Sequence, residues 1–189
     1  MSMAGTWVEA EFEAIFREHS ERVVRIIRRV LRCDSEAEEV CAEVFLRLYR
    51  NGPAATAGGS VGGWLYRTAT RAGIDVLRRN QRRGLGVSAD SDSGESVTTA
   101  EDDPLTRLLR NERIAKVRQA LGDMKVERAQ LLVLRHSGLS YQEVADAMQM
   151  SAGSVGTSLA RAEAEFAKLY QRQERLSKTT PHFETAKEG

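Results

Sequence analysis

Apolar residues recur every three or four positions through most of the first 83 residues, which is the spacing of amphipathic helices. A broad apolar stripe covers residues 23–31, and a further helix is predicted over about 61–82. Between them, Ser35 and Glu38 form a capping-box pattern, which predicts that a third helix begins at Ser35. The stripe nearest the N-terminus, predicted as a separate first helix, consists of Val8, Phe12, Ile15 and Phe16. This half of the chain is therefore predicted to be four helices.

The same spacing continues after residue 104, where helices are predicted over 105–121 and 126–136. Ser140 and Glu143 form a second capping-box pattern at the start of a short helix. A tight connection at 149–151 leads into a longer helix, whose apolar positions are Val155, Leu159, Ala162, Phe166 and Leu169. A short helix, a turn and a longer helix are the pattern of a helix-turn-helix. The sequence has no runs of alternating β-branched residues that would indicate strands, so the predicted fold class is all-α.

Charge and proline divide the chain into segments. The net charge of the whole chain is only +1, but the charges are unevenly distributed. Residues 84–103 hold six acidic residues and no Lys or Arg, so we predict an acidic, flexible linker there. Residues 1–83 hold 14 Lys and Arg against 11 Asp and Glu, and residues 104–172 hold 11 against seven. We therefore expect two small helical domains, at 7–83 and 104–172, followed by a polar tail at 173–189. Two mildly basic blocks favour nucleic-acid contact in separate places.

Several protein classes are disfavoured by composition. The longest apolar runs fall well short of the roughly 18 residues that span a bilayer, and the N-terminus lacks a secretory signal pattern, so we expect a cytoplasmic protein without membrane insertion. Cys33 and Cys41 belong to no CxxC pair, and the three histidines are scattered. We therefore expect no metal, no cofactor and no catalytic residue, and we interpret both cysteines as buried thiols.

Two predicted helices carry charged faces. On the helix over 61–82, four arginines and Trp64 lie within about 60° of one another, and the arginines are Arg67, Arg71, Arg78 and Arg82. Arginines bind phosphates and an indole can stack on an unstacked base, although an ordinary solvated basic face has the same pattern. The helix from Ser35 has an acidic outer side with Glu38, Glu39 and Glu43. These carboxylates can be interpreted as a partner-binding surface, or simply as charges that compensate the helix dipole.

The second helix of the helix-turn-helix begins with a polar but weakly charged set of residues. The candidates for base or phosphate contact are Ser151, Ser154, Thr157, Ser158 and Arg161. A helix N-terminus can hold a phosphate through its backbone N–H groups. The alternative is that the motif survives only as a three-helix scaffold.

In this order, the motifs resemble those of bacterial extracytoplasmic-function sigma factors, the minimal two-domain members of the primary sigma family. The stretch AEEVCAEVFLRLYR (37–50) is similar to the family's clamp-binding segment. GGWLYRTATRAGIDVLRRNQRR (62–83) is similar to its promoter-melting segment. LLVLRHSGLSYQEVADAMQMSAGSVGTSLARAEAEF (131–166) is similar to its C-terminal promoter-reading module.

The resemblance implies a role for each segment. Docking on the clamp helices of core RNA polymerase is implied for Glu38, Glu39, Glu43 and Phe45. Binding and opening of the −10-type element is implied for Trp64, Tyr66, Arg67 and Asp75. Arg71 and Arg78, which share the basic face of this helix, are further candidates for contact with the −10-type element. The loop at 51–63 occupies the place where such proteins capture a flipped base. The module over 140–161 would read the −35-type element and meet the polymerase flap. The acidic linker would thread the polymerase's RNA channel, or would act only as a tether. An anti-sigma factor is also implied as a partner.

The chain departs from the family pattern at several positions. Ala42 replaces a glutamine before Glu43, and Arg71 replaces an asparagine of the melting helix. The recognition helix is GSVGTSLARAE, where the family commonly has a sequence like GTVKSRLHRAR, so several basic or polar contact positions are lost. We expect an alternative sigma factor that directs promoter-specific initiation and is not itself an enzyme. A stand-alone helix-turn-helix repressor and a degenerate sigma-like adaptor are the alternatives.

Overall fold

The computed structural model describes residues 7–31, 33–56, 58–84 and 103–179, with side chains as far as residue 176. Within these ranges the chain forms seven α-helices and one 3₁₀ turn, and it contains no strand. The helices are α1 (Glu9–Val30), α2 (Asp34–Asn51), α3 (Val61–Arg82), α4 (Pro104–Asp123), α5 (Val126–His136), α6 (Tyr141–Met148) and α7 (Ala152–Thr179), and the 3₁₀ turn is Pro53–Thr56. The all-α prediction is therefore confirmed.

The predictions for the first two helices were wrong in detail. Both N-terminal apolar stripes belong to the single helix α1 and its two cap residues, because the polar stretch between them, residues 17–22, continues the helix without a break. α2 begins at Asp34 with Cys33 as its N-cap residue, and no side chain caps it. The Ser35 hydroxyl bonds instead to the Cys33 Sγ at 2.9 Å, so Ser35 does not form the expected capping box.

Helices α1, α2 and α3 bury one shared apolar core. Its largest fully buried side chains include Ile26, Ile27, Leu48, Leu65 and Ile74. Burying each such side chain stabilises the fold by about 1.5–3 kcal/mol relative to leaving it exposed. α3 also approaches α1 closely at Gly73, where an added Cβ would lie 3.5 Å from the Val30 Cβ. This packing fixes which face of α2 and which face of α3 remain outside the core.

The C-terminal half consists of α4 to α7 and contains the helix-turn-helix. Ser140 and Glu143 form the predicted capping box at the start of α6: the Ser140 N–H donates to Glu143 at 2.7 Å, and the Glu143 N–H donates to the Ser140 hydroxyl at 3.3 Å. Gln149 ends α6 in the left-handed region, with φ of 54°, and turns the chain into α7. The predicted helix-turn-helix is thereby confirmed. The polar tail expected from residue 173 begins as a continuation of α7, and residues 180–189 lie outside the described residues.

The two halves pack against each other through α3, which contacts α4, α5 and α6. The Gln81 amide donates to the Arg118 carbonyl at 3.0 Å, and the Arg118 guanidinium donates to the Val30 carbonyl at 2.9 Å. The linker predicted over 84–103 lies almost entirely outside the described residues. The direct contacts therefore show how the halves meet, and the prediction of two domains joined by a flexible linker remains a prediction.

His19 gives the fold a pH dependence. Burial lowers the pKa of His19 below its ordinary value of 6.5, Glu18 opposes that shift, and Arg22 adds to it. The ring Nδ1 and the Tyr66 hydroxyl are 3.0 Å apart. On acidification His19 takes up a proton in the unfolded chain at a higher pH than in the folded chain. Its contribution to the free energy of unfolding is therefore fully present above pH 6.5 and is lost as the pH falls towards the lowered pKa.

Replacing His19 with glutamine is expected to reduce the pH dependence of stability. In urea denaturation, the free energy of unfolding of His19→Gln should fall less between pH 7.5 and pH 5.5 than that of the wild type. The same loss in both proteins would contradict this role.

Candidate functional site

The outer face of α2 is acidic and exposed. Glu38, Glu39 and Glu43 all lie at the surface, as the sequence predicts. Glu43 accepts from Arg47 at 2.8 Å within the same helix, and Glu38 lies 3.8 Å from the Arg28 guanidinium. Such exposed pairs hold a side chain only weakly. These carboxylates are therefore accessible to a basic partner.

The residue Phe45 does not share this exposed face. Its ring is buried and makes edge-to-face contacts with Phe12 and Phe16, so it supports α2 from within. Apolar exposure is supplied instead by Leu46 and Tyr49, which are 45% and 44% exposed. Neither residue is among those predicted from the sequence to contact a partner. They could have been identified from the sequence, because both are large apolar residues that lie outside the apolar stripe of α2.

The basic row of α3 is divided by contacts with the C-terminal half. Arg71 is exposed. Arg67 donates to the Gln149 Oε1 at 2.6 Å, and Arg78 donates to the carbonyls of Gly122 and Met124. Only part of the predicted row therefore faces solvent in this arrangement.

Tyr66 lies on the inner side of α3. Its side chain is 6% exposed, and the Arg22 guanidinium lies 5.1 Å above its ring. Burial raises the pKa of its hydroxyl, while Arg22 lowers it. The structure thus places Tyr66 beneath the surface that presents Trp64 and Arg71, where it supports the start of α3.

The loop before α3 forms a small recess beside Trp64. Gly52, with φ of 65°, ends α2, and the 3₁₀ turn closes when the Thr56 hydroxyl donates to the Pro53 carbonyl at 2.9 Å. Ser60 then caps α3 by accepting from the Gly63 N–H at 3.0 Å. The recess is lined by Ala55, Thr56, Gly58, Gly59, Ser60, Trp64, Arg67, Asp146, Ala147 and Gln149. Residues far apart in sequence therefore meet at the predicted base-capture loop.

The first turns of α7 are largely open to solvent. Ser151, Thr157 and Arg161 are exposed, and Ser154 and Ser158 are half-buried. The Ser151 and Ser154 hydroxyls are 2.6 Å apart, and the Ser154 hydroxyl donates to the Ser151 carbonyl at 2.8 Å. The hydroxyls near this helix end thus form a local polar cluster on an accessible surface.

The described part of the chain contains no group of three or more His, Cys, Asp or Glu side chains arranged to hold a metal ion. None of its helices is long and apolar enough to cross a membrane.

Comparisons with known proteins match both halves of the chain to families. Residues 15–83 match the family Sigma-70 region 2, and residues 114–166 match Sigma-70, region 4. The chain is 30% identical over 155 residues to the ECF RNA polymerase sigma factor SigK of Mycolicibacterium vanbaalenii, covering 76% of this chain and 74% of that protein. It is 28% identical over 152 residues to SigE of Mycolicibacterium smegmatis, covering 79% of this chain but only 58% of that protein.

A solved structure shares the fold. The sigma factor RpoE in complex with the anti-sigma factor NepR, from Bartonella quintana, matches with a TM-score of 0.50 at 15% identity, covering 85% of this chain and 96% of that one. The two matched regions correspond to the α1–α3 half and the α4–α7 half described above. The chain belongs to the extracytoplasmic-function group of RNA polymerase sigma factors, a family of transcription initiation factors.

Proposed function

We propose that this chain binds core RNA polymerase and directs it to a particular class of promoters. The observation that carries the proposal is the outer face of α2, where exposed carboxylates lie beside exposed Leu46 and Tyr49. Acidic and apolar groups on one surface suit a protein partner with a basic and apolar face. Gel filtration with core polymerase tests this step. Co-elution supports docking, and separate elution would favour a stand-alone repressor.

The −10-type element is assigned to the loop at 51–63 and to α3. Trp64 offers a ring for base stacking, and Arg71 offers an exposed charge for the phosphate backbone. Arg67 and Arg78 join this surface once they are released from their contacts with the C-terminal half. Tyr66 is proposed to position α3 beneath the DNA.

The −35-type element is assigned to the start of α7. The residues proposed to contact DNA are Ser151, Ser154, Thr157, Ser158 and Arg161. From Ala152 to Ala160 the helix has no Lys or Arg, so few phosphates are neutralised from this segment. We therefore infer that the element is read partly through DNA shape.

Adding a lysine to this helix is expected to strengthen duplex binding. At Gly156 an added Cβ would meet only the Tyr141 ring at 3.8 Å, which is an ordinary contact. Replacing a mid-helix glycine also removes a helix penalty of about 1 kcal/mol. For Gly156→Lys, a salt titration of the full chain on a −35-type duplex should give a slope steeper by about 0.9, the value for one phosphate contact. Gln171→Lys, which adds the same charge further along α7, is the control, and equal slopes for the two variants would contradict the assignment.

An anti-sigma factor is proposed as a further partner. The first turns of α4 expose Leu105, Leu108 and Leu109, which are 60%, 64% and 53% exposed. A row of exposed leucines is typical of a protein-binding surface. We also propose that the chain acts in the cytoplasm, without a cofactor, and contributes promoter choice and not a catalytic step.

A further inference from the structure

Gln149, an exposed residue in the turn of the helix-turn-helix, lines the recess beside Trp64. Its Oε1 accepts from the Arg67 guanidinium at 2.6 Å. Its Nε2 lies 3.3 Å from the position that a Cβ on Gly58 would take, so the carboxamide lies against the loop backbone. Gln149 has a φ of 54°, a conformation that non-glycine residues rarely adopt. This left-handed conformation belongs to the turn that ends α6, where the Gln149 N–H donates to the carbonyls of Ala145 and Asp146.

Glycines on the N-terminal side allow this close approach. An added Cβ at Gly63 would lie 3.3 Å from the Ala147 backbone nitrogen and 3.3 Å from the Asp146 carbonyl carbon. The end of α6 therefore rests directly on the start of α3. A side chain at Gly58 or Gly63 would press against the helix-turn-helix.

Further polar contacts hold the two halves in this arrangement. The Arg22 guanidinium donates to Glu143 at 2.7 Å, and the Gln130 amide donates to the Arg67 carbonyl at 3.0 Å. Gln130 is 3% exposed, so its amide is satisfied within the contact between the halves. The Ser140 N–H lowers the pKa of Glu143, burial opposes that shift, and Arg22 adds to it, so this carboxyl is ionised at neutral pH.

We propose that, in the chain without polymerase, Gln149 and the end of α6 cover the face of the loop at 51–63, beside Trp64, that takes an unstacked base of the −10-type element. A carboxamide is planar and carries one acceptor and one amino donor, as the pairing edge of a nucleobase does. In this closed arrangement Gln149 engages Arg67, and the end of α6 covers the loop. The chain alone therefore cannot bind single-stranded DNA at this loop until its halves separate. This inference rests on the proposed role of the loop at 51–63.

The test compares two double variants of the full chain in a Trp7→Phe background, which leaves Trp64 as the sole indole. Arg22→Ala with Gln149→Ala removes two of the side-chain contacts between the halves, Arg22 with Glu143 and Gln149 with Arg67. Arg25→Ala with Gln142→Ala is the matched control, because Arg25 pairs with Glu21 and Gln142 with Asp146 within single helices. The readouts are acrylamide quenching of Trp64 and fluorescence anisotropy of a short labelled single-stranded DNA of randomised sequence, with circular dichroism to confirm folding.

We expect the first double variant to show greater Trp64 quenching and about tenfold tighter DNA binding. The reason is that a larger fraction of its molecules have separated halves and can bind DNA. The control should match the parent in both readouts. Equal, measurable DNA binding by the two double variants would overturn the inference and leave the proposed −10 function standing. If no chain binds the DNA, including the opened variant, the inference fails together with the −10 assignment of the loop. Transcription by the wild-type holoenzyme then reports separately on the proposed function.

Discussion

Replacing Trp64 with alanine is expected to reduce promoter melting by the holoenzyme by tenfold or more. Trp64 is half-buried, lines the recess before α3 and lies on the same face as Arg71. Stacking of a base on an aromatic ring contributes about 1–3 kcal/mol, and 1.4 kcal/mol corresponds to a factor of ten. The loss should therefore appear in the open complex and not in the affinity for core polymerase. A permanganate footprint measures it directly, because the reagent modifies unpaired thymines.

The conservative variant separates stacking from packing. Trp64→Phe keeps an aromatic face and should retain most of the melting activity, whereas Trp64→Ala should not. Both variants should bind core polymerase as the wild type does, since Trp64 lies outside the α2 face. If Trp64→Ala melts the promoter as well as the wild type, the indole serves only to pack the start of α3.

Reversing the charge of Glu39 and Glu43 together to lysine is expected to weaken core polymerase binding by at least tenfold. Both carboxylates are exposed, and opposing a basic partner surface with lysines places like charges together at a cost of several kcal/mol. The helical content should be unchanged, because neither side chain enters the core. Titration of labelled chain with core polymerase at fixed salt gives the affinity.

The matched control reverses Glu18 and Glu21 on α1. These residues are also exposed, and their substitution makes the same change in net charge on the same half of the chain. On the helical wheel they lie about 140–160° from Phe16, away from the side of α1 where Phe16 meets α2. We expect this control to bind core polymerase nearly as well as the wild type. Equal weakening by both reversals would show a general charge effect and would remove the special role of α2.

Local patterns were enough to predict most of the helices. α3 runs from Val61 to Arg82, as its periodicity indicates, and α5 and the helix-turn-helix also lie where predicted. The capping box at Ser140 is set by neighbouring residues and was therefore visible in the sequence. The pattern at Ser35 failed because Asp34 already belongs to α2, which moves the cap to Cys33.

The contacts of the basic row could not be predicted in the same way. Helical spacing places Arg67 and Arg78 on one face but does not say which atoms cover that face. Their partners, Gln149 and the carbonyls of Gly122 and Met124, lie more than 40 residues away in sequence. Such partners depend on how the two halves pack, and no local rule encodes that packing.

The outer face of α2 could also be predicted only in part from the sequence. Glu39 and Glu43 were predicted to be exposed, and they are. Phe45 was assigned to the partner surface through the family resemblance, yet its ring packs against Phe12 and Phe16 from α1. The geometry of two packed helices decides this, because α1 covers one side of α2 and leaves Leu46 outside.

Run-off transcription with purified core polymerase tests the central claim most directly. The template is a library of genomic DNA fragments, and the 5′ ends of the transcripts are sequenced. We expect discrete start sites that appear only when both the chain and core polymerase are present, with a shared sequence element upstream. Stable binding to core polymerase without any start-site-specific transcript would contradict the account and would identify the chain as an adaptor.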